Sequence, residues 1–423
     1  MSRALWDSGY TYTIEAAFDA STGTYGVWDT SLWDSATWGP AVVWNDITAD
    51  VVAWASNIGR DRENDHYASG NGSVTVDNVS ADYTPENTSS PFATGGVAGV
   101  RPGRPIRGYI TAPSGTSYPL FRGTIDDFDE DVNSLLPQMV FPWVDGISDL
   151  SAVDGYEQSP AGAGETVGYR MHRLLDAAEW TDERNIDLGT TTMQATTLAQ
   201  NAWTEIQLTA DSDGGEVWVD PDGTLVFQDH EAPLRNTRSN TSQYTFTDVD
   251  TPGAYHFETV TLANGMDIIV NEAALARAGG TVRTATDLTS RALYRLRRWG
   301  RNDLICDDDG LVAQLAEQLV ARRSDPTRRP RQIVLNPTVY SNLWPVICDL
   351  RMRDRIKVTV HHKPADIEIS YDCFVDGIKH NVNDTEWITT VQLASTAGIV
   401  PAADFGVWDT STWDNCYWGV EVA

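Results

Sequence analysis

The first regular pattern along the chain is an alternation. Tyr10, Tyr12, Ile14, Ala16 and Phe18 are apolar and are separated by polar or small residues. A period of two sets these side chains on one face of a strand, so a half-buried strand is predicted at the start. Strand and turn signals continue over residues 44–145: Val74 and Val76 alternate in GSVTVDN, and segments 107–111 and 119–125 follow Gly- and Pro-rich breaks. Between residues 167 and 180 the period changes, and the spacing of Met171, Leu174, Leu175 and Ala178 predicts a helix, with a second helical segment over 191–206. Residues 216–228 read EVWVDPDGTLVFQ, two alternating runs around Asp-Pro-Asp-Gly, which is a hairpin signature. Another hairpin is expected over 267–283, turning at Gly279 and Gly280. A helix is expected over 290–299, and Leu311, Leu315 and Leu319 mark one capped by Asp309, before strands return over 331–394. The class predicted is β-rich α+β with a few short helices.

One pattern fits neither period. Residues 26–39 read GVWDTSLWDSATWG and residues 406–419 read GVWDTSTWDNCYWG, identical at ten of fourteen positions. Trp28, Trp33 and Trp38 recur every fifth residue, as do Trp408, Trp413 and Trp418. Such spacing suits Trp-anchored turns or very short strands packed on something flat. Two uses are open. Large aromatics dominate packing and interface anchors, which explains both copies without a ligand. Exposed Trp beside Asp also makes a glycan platform, the ring stacking on a sugar face while carboxylates take hydroxyls.

Composition narrows the function. A chain of 423 residues buries enough apolar surface to fold without staples, and 41% apolar with 21% charged residues is ordinary globular usage. With 30 Lys and Arg against 60 Asp and Glu, the net charge of −30 repels phosphate backbones and anionic lipid. No run approaches the roughly 18 apolar residues that a membrane-spanning helix needs, and the opening MSRALWDSGY lacks the apolar core of a signal peptide, so neither is expected. Charge is uneven: residues 273–357 hold 16 basic and 9 acidic residues, a net of +7, which leaves −37 for the rest. The arginines gather as Arg295, Arg297, Arg298 and Arg301, and as Arg322, Arg323, Arg328, Arg329 and Arg331. An acidic partner, including another copy of the chain, suits them better than nucleic acid, because Arg pairs bidentately with carboxylates at interfaces.

Candidate chemistry is sparse. The chain has no GxSxG, HExxH, GxxxxGK[ST] or strand-following GxGxxG motif, so no catalytic or metal residue is named and no cofactor is expected. Cys306, Cys348, Cys373 and Cys416 form no CxxC pair and read as unpaired buried thiols. His361, His362, Cys373 and His380 make a metal set only on paper, since adjacent histidines on a strand point to opposite faces. The acidic runs at Asp126, Asp127, Asp129, Glu130 and Asp131 and at Asp307, Asp308 and Asp309 lack the spacing of an EF-hand loop and read as solvated turns.

The order of several short segments is more telling than any of them alone. WNDITADV begins at Trp44, Gly59-Arg60 follows, then GSVTVDNVSADYTPEN at residues 72–87, RPGRPIRGYI at 101–110 and PLFRGTIDDF at 119–128. GEVWVDPDGTLVFQDH, VNEAALARAGGTV, RDRIKVTV, FVDGIKHNVNDTEW and VQLAS come later in the same order. From about Tyr10 to Ser395 the chain resembles the minor tail proteins that form the tail-tip or baseplate hub of long-tailed, siphophage-type bacteriophages. The Trp repeats depart from that pattern, one as an insertion and one as a C-terminal extension. The resemblance implies a structural virion protein at the phage tail tip, assembled in the host cytoplasm, with tube-like β-barrel domains. It implies a homotrimeric ring ending the tail tube, with the distal tail protein, tail tube, tape measure and tail fibres as partners and DNA passing without specific binding. The expected organisation is an N-terminal β-domain over 1–150, a helix-plus-hairpin domain over 151–265, a β-rich domain with Arg-rich helices over 266–400 and an extension over 401–423. A distal tail adaptor ring and a host-surface glycan binder are the alternatives.

Overall fold

A computed structural model describes residues 3–4, 8–19, 43–63, 65–93, 99–130, 136–154, 160–198, 200–325, 328–362, 364 and 367–396. The predicted first strand is Thr11–Asp19, and its alternation buries Tyr12, Ile14, Ala16 and Phe18. It pairs antiparallel with Pro105–Thr111, and the ladder continues through Ser117–Ile125, Gln138–Val144, Asn71–Asp77 and Val51–Gly59. Inward positions alternate with half-exposed ones, as an antiparallel sheet with one buried face requires. Phe121 and Trp143 stack with centroids 4.7 Å apart, and Gly108 lies against the Phe121 ring, where a Cβ would collide with it.

The ladder does not stop at Val51–Gly59. That strand pairs with the second half of the sixteen-residue strand Ile367–Val382, whose first half pairs with Arg355–His362. Trp387–Ser395 folds back along Ile367–Val382 and is followed by Arg329–Leu335 and Thr259–Ala263, while Ser242–Thr247 runs parallel to Arg355–His362. Strands from both ends of the chain therefore share one hydrogen-bonded network. Its core is shared too: Trp344, Val382 and Trp387 pack among the aromatics of the N-terminal sheet. A second core lies between the C-terminal strands and the segment Ser341–Asp349, and takes in Tyr67, Trp218 and Val226 from the earlier chain.

The third core is helical. The helices Gly146–Ala152, Val167–Ala177, Ala202–Asp213 and Asp309–Arg323 pack around the hairpin of Glu216–Val219 and Leu225–Gln228. In the second helix Val167, Met171, Leu174 and Leu175 are fully buried, the one-face stripe that the spacing predicts. A small sheet, Arg283–Thr286, Glu272–Arg277 and Arg298–Leu304, lies under the helix Asp309–Arg323. This core runs from Ile147 to Val320 and so crosses residue 265.

The fold is β-rich α+β, as predicted, and four expectations are corrected in detail. The tube-like barrels are not seen: among the described residues the strand pairings form an open path with branches, not a closed ring. The helix expected over 191–206 begins only at Ala202, because the Asn201 side chain caps it by accepting from Thr204 N at 2.9 Å, while Met193 and Thr196 sit in isolated bridges. The helix expected over 290–299 is Leu288–Tyr294, capped by Asp287; Arg295 then takes φ 62°, and the chain becomes the strand Arg298–Leu304. Asp308, not Asp309, caps the next helix, since its side chain accepts from Gly310 N.

Candidate functional site

The six repeat tryptophans, Trp28, Trp33, Trp38, Trp408, Trp413 and Trp418, and Cys416 lie outside the described residues. The nine arginines are described, and they do not form one surface. Arg295, Arg297 and Arg298 are exposed around the end of the helix Leu288–Tyr294; Arg298 pairs with Glu272 at 3.2 Å, whereas Arg295 and Arg297 have no carboxylate partner among the described residues. Arg301 is held by Asp211 at 2.5 Å and Asp303 at 2.7 Å. Arg323 donates to the Glu63 carbonyl at 3.3 Å, and Arg329 pairs with the Glu63 carboxylate at 3.2 Å. Burial pushes the Arg323 guanidinium down from its usual range; Glu63 opposes this and Arg60 adds to it. Arg328 lies 3.4 Å from His362, and Arg322 and Arg331 are exposed.

The strongest polar constellation was not singled out from the sequence. Arg60, at the end of the strand Val51–Gly59, donates from Nε to Asp376 Oδ2 at 2.8 Å and from both Nη atoms to Glu216 at 3.0 Å. Arg353 Nη1 donates to the other Asp376 oxygen at 2.9 Å. The Arg60 guanidinium lies 4.5 Å over the Tyr67 ring, whose hydroxyl reaches Asp376 at 3.4 Å. Gly59 takes φ 104°, and a Cβ there would strike the Asp376 carbonyl, so only glycine lets these strands close on the pair. Arg60 follows the last strand of the N-terminal sheet, Glu216 opens the hairpin of the helical core, Arg353 lies in the turn before Arg355–His362, and Asp376 is in the strand Ile367–Val382. One buried charge cluster thus ties the three cores. Burial works against the Asp376 carboxylate, but Arg60 and Arg353 outweigh it and hold its pKa below the usual range. In the sequence the cluster's four members stand in separate short segments, Gly59-Arg60, GEVWVDPDG, RDRIKVTV and FVDGI, and nothing local links them.

The remaining polar groups serve the fold. Asp145 caps the helix Gly146–Ala152 and also accepts from Gly70 N at 2.7 Å and Ser69 Oγ at 2.8 Å; burial nevertheless raises its pKa to about 6. Asp307 accepts from Thr192 at 2.6 Å, and Asp309 pairs with Arg277 at 2.6 Å, so the acidic triplet is spent on a helix start. His361 is held by Asp248 at 2.8 Å, and His380 packs against Trp387; no group of three or more His, Cys, Asp or Glu placed to hold a metal is found among the described residues. Cys306 and Cys373 are buried and Cys348 is half-buried, all as free thiols.

A pocket of about 280 Å³ opens beside the hairpin, lined by Asn185, Asp187, Phe227, Gln228, Arg235 and Asn236. Its charges are internally matched, since Arg235 Nη2 donates to both Asp229 oxygens at 2.8 and 2.7 Å, and no nucleophile lines it. The geometry organises charge and packing at junctions and assembles no reacting centre there.

No protein-family model and no curated protein matches the chain. Two of the similar solved structures align over nearly the whole chain. The tail protein from Neisseria meningitidis superposes with a TM-score of 0.58 at 12% identity, covering 92% of this chain and 96% of that one. The 43 kDa tail protein of prophage MuSo2 from Shewanella oneidensis gives 0.56 at 10% identity, covering 91% and 98%. At such identities the likeness is one of fold, and it extends over nearly the whole of each chain: this chain has the fold of these two tail proteins.

Proposed function

We propose that the chain is a structural protein of the phage virion that forms the tail-tip or baseplate hub, a ring of three copies ending the tail tube. The observation that carries this reading is the end-to-end fold likeness to a tail protein, 92% of one chain on 96% of the other. It joins the order of sequence segments that resembles the hub proteins. The physical chemistry fits. Three cores tied by a buried ion cluster make a stiff block, which suits a part that transmits load without acting on a substrate. The net charge of −30 lets DNA pass without adhering, since attractive phosphate contacts would act as traps. The hub takes no cofactor, catalyses no reaction, and assembles with the distal tail protein, tail tube, tape measure and tail fibres before release of the virion.

Electron microscopy of tails carrying a label on this chain tests the reading. A label at the tip with three copies per tail is expected. Six copies per tail in the ring above would replace the hub with the distal adaptor, and a label elsewhere would reject both. The glycan reading rests on the Trp repeats alone; a glycan array on the intact protein, with no binding expected, tests it.

A further inference from the structure

Two exposed patches on this chain are complementary, and we infer that they bind each other between copies, head to tail. The first surrounds the helix Leu288–Tyr294. Leu288 is 74% exposed, Leu293 70%, Leu296 47% and Trp299 43%, a concentration of large apolar side chains that the small sheet leaves uncovered. Residues 282–299 carry five arginines and one aspartate, and Arg295 and Arg297 have no carboxylate partner among the described residues. Tryptophan and arginine are the residues enriched in interface anchors, and the exposed leucines beside them add apolar area to bury.

The second patch lies at the far end of the N-terminal sheet. Val79 is 61% exposed and Leu136 72%, and the two are neighbours because Asn78 N donates to the Pro137 carbonyl at 2.9 Å. Around them, residues 77–86 and 126–130 hold seven acidic and no basic residues. Glu130 is drawn in by Asn78 at 2.7 Å, while Asp77 and Asp129 are exposed.

The patches sit at opposite ends of one axis. The strand Gln138–Val144 starts beside the acidic patch, with Gln138 opposite Asp77, and ends at Asp145, which opens the helical core; the small sheet that adjoins the basic patch packs into that same core through Ala273, Leu275 and Leu304. The strand alone spans roughly 20 Å at 3.3 Å per residue, which separates the patches within a subunit and leaves a contact between them to form between subunits. A chain of net charge −30 repels its own copies over most of its surface, and the segment 282–299 is where that repulsion reverses. The contact is heterologous, patch to different patch, which generates a ring when the rotation closes. This contact gives the ring proposed above its interface, but it is tested in solution without the virion, so either can fail while the other stands.

The experiment uses the full chain and two surface variants, each checked for native circular dichroism and an unchanged melt. One carries Leu293→Glu and Arg297→Glu, the other Val79→Lys and Leu136→Lys. By analytical ultracentrifugation the wild type is expected to associate, more weakly as salt rises, and each variant alone to lose at least tenfold in association. Mixed one to one, the variants keep one intact patch of each kind and are expected to form a dimer that grows no further. A wild type that stays monomeric at high concentration, self-association of either variant at the wild-type level, or no dimer in the mixture overturns the inference.

Discussion

Arg60 and Asp376 are 316 positions apart in the chain, yet Nε of one lies 2.8 Å from Oδ2 of the other in a site where both are buried. The pair closes the seam where the strand Val51–Gly59 meets Ile367–Val382, and Arg353 and Glu216 complete the charge balance.

Removing one member of such a cluster leaves a buried charge without its counter-ion. Asp376→Ala is expected to cost about 3–5 kcal/mol, because Arg60 and Arg353 both lose their shared carboxylate. Glu216→Ala removes the half-exposed partner and should cost less. Urea unfolding of both variants checks the order, and an equal or smaller loss for Asp376→Ala would contradict the cluster's role.

Trp387 comes from the C-terminal strands but packs edge-on against Trp54 at 5.1 Å and Trp344 at 5.3 Å, inside the N-terminal core. Trp387→Ala is expected to cost about 3–5 kcal/mol, the usual loss for a buried large aromatic. Because this core is built from both chain ends, the variant should melt in one calorimetric transition at lower temperature. A separate early transition with the N-terminal sheet intact would be the contrary result.

Burial lowers the pKa of His380 to about 3, and its Nδ1 accepts from Trp387 Nε1 at 3.2 Å, so the folded protein holds the ring neutral. The unfolded chain takes up this proton below its ordinary value of 6.5 while the folded one does not. Stability is therefore lost as pH falls from 6.5 towards 3, at about 1.4 kcal/mol per unit from this group. Asp145 and Asp220, both raised to about 6 by burial, act oppositely and gain stability as pH falls from 6 to 3.8. Denaturant melts of His380→Gln should show a smaller loss between pH 6 and 4 than the wild type. An unchanged slope would argue that the ring is not held neutral.

The Trp repeats carry a prediction from sequence alone: two near-identical copies at opposite chain ends form one small structure, within or between subunits. Crosslinks from residues near Gly39 to residues near Gly419 check it by mass spectrometry. Trp33→Ala or Trp413→Ala should cost about 3–5 kcal/mol if the ring is packed, and a change near zero favours the glycan platform.

Local patterns were enough for much of the fold. The alternation at 10–18, the helical stripe of Met171, Leu174 and Leu175, and the Asp-Pro-Asp-Gly turn each settled their own element, because periodicity and turn chemistry act over a few residues. The charge asymmetry was legible too, and the arginines could be counted. What the sequence could not say is which arginine is spent. Arg298 and Arg301 are neutralised by Glu272 and Asp211, while Arg295 and Arg297 are left to solvent, and that depends on which strand lies beside Arg298–Leu304 and on the helix Ala202–Asp213 packing against it. Helix or strand at 295–299 was decided the same way: the residues have helical composition, but pairing with Glu272–Arg277 offers backbone hydrogen bonds that a longer helix would forgo. The largest gap concerns Arg60, Glu216, Arg353 and Asp376. Each is an ordinary charged residue in its own segment, and only the closure of the two chain ends into one sheet brings them together and removes the water that would otherwise screen them.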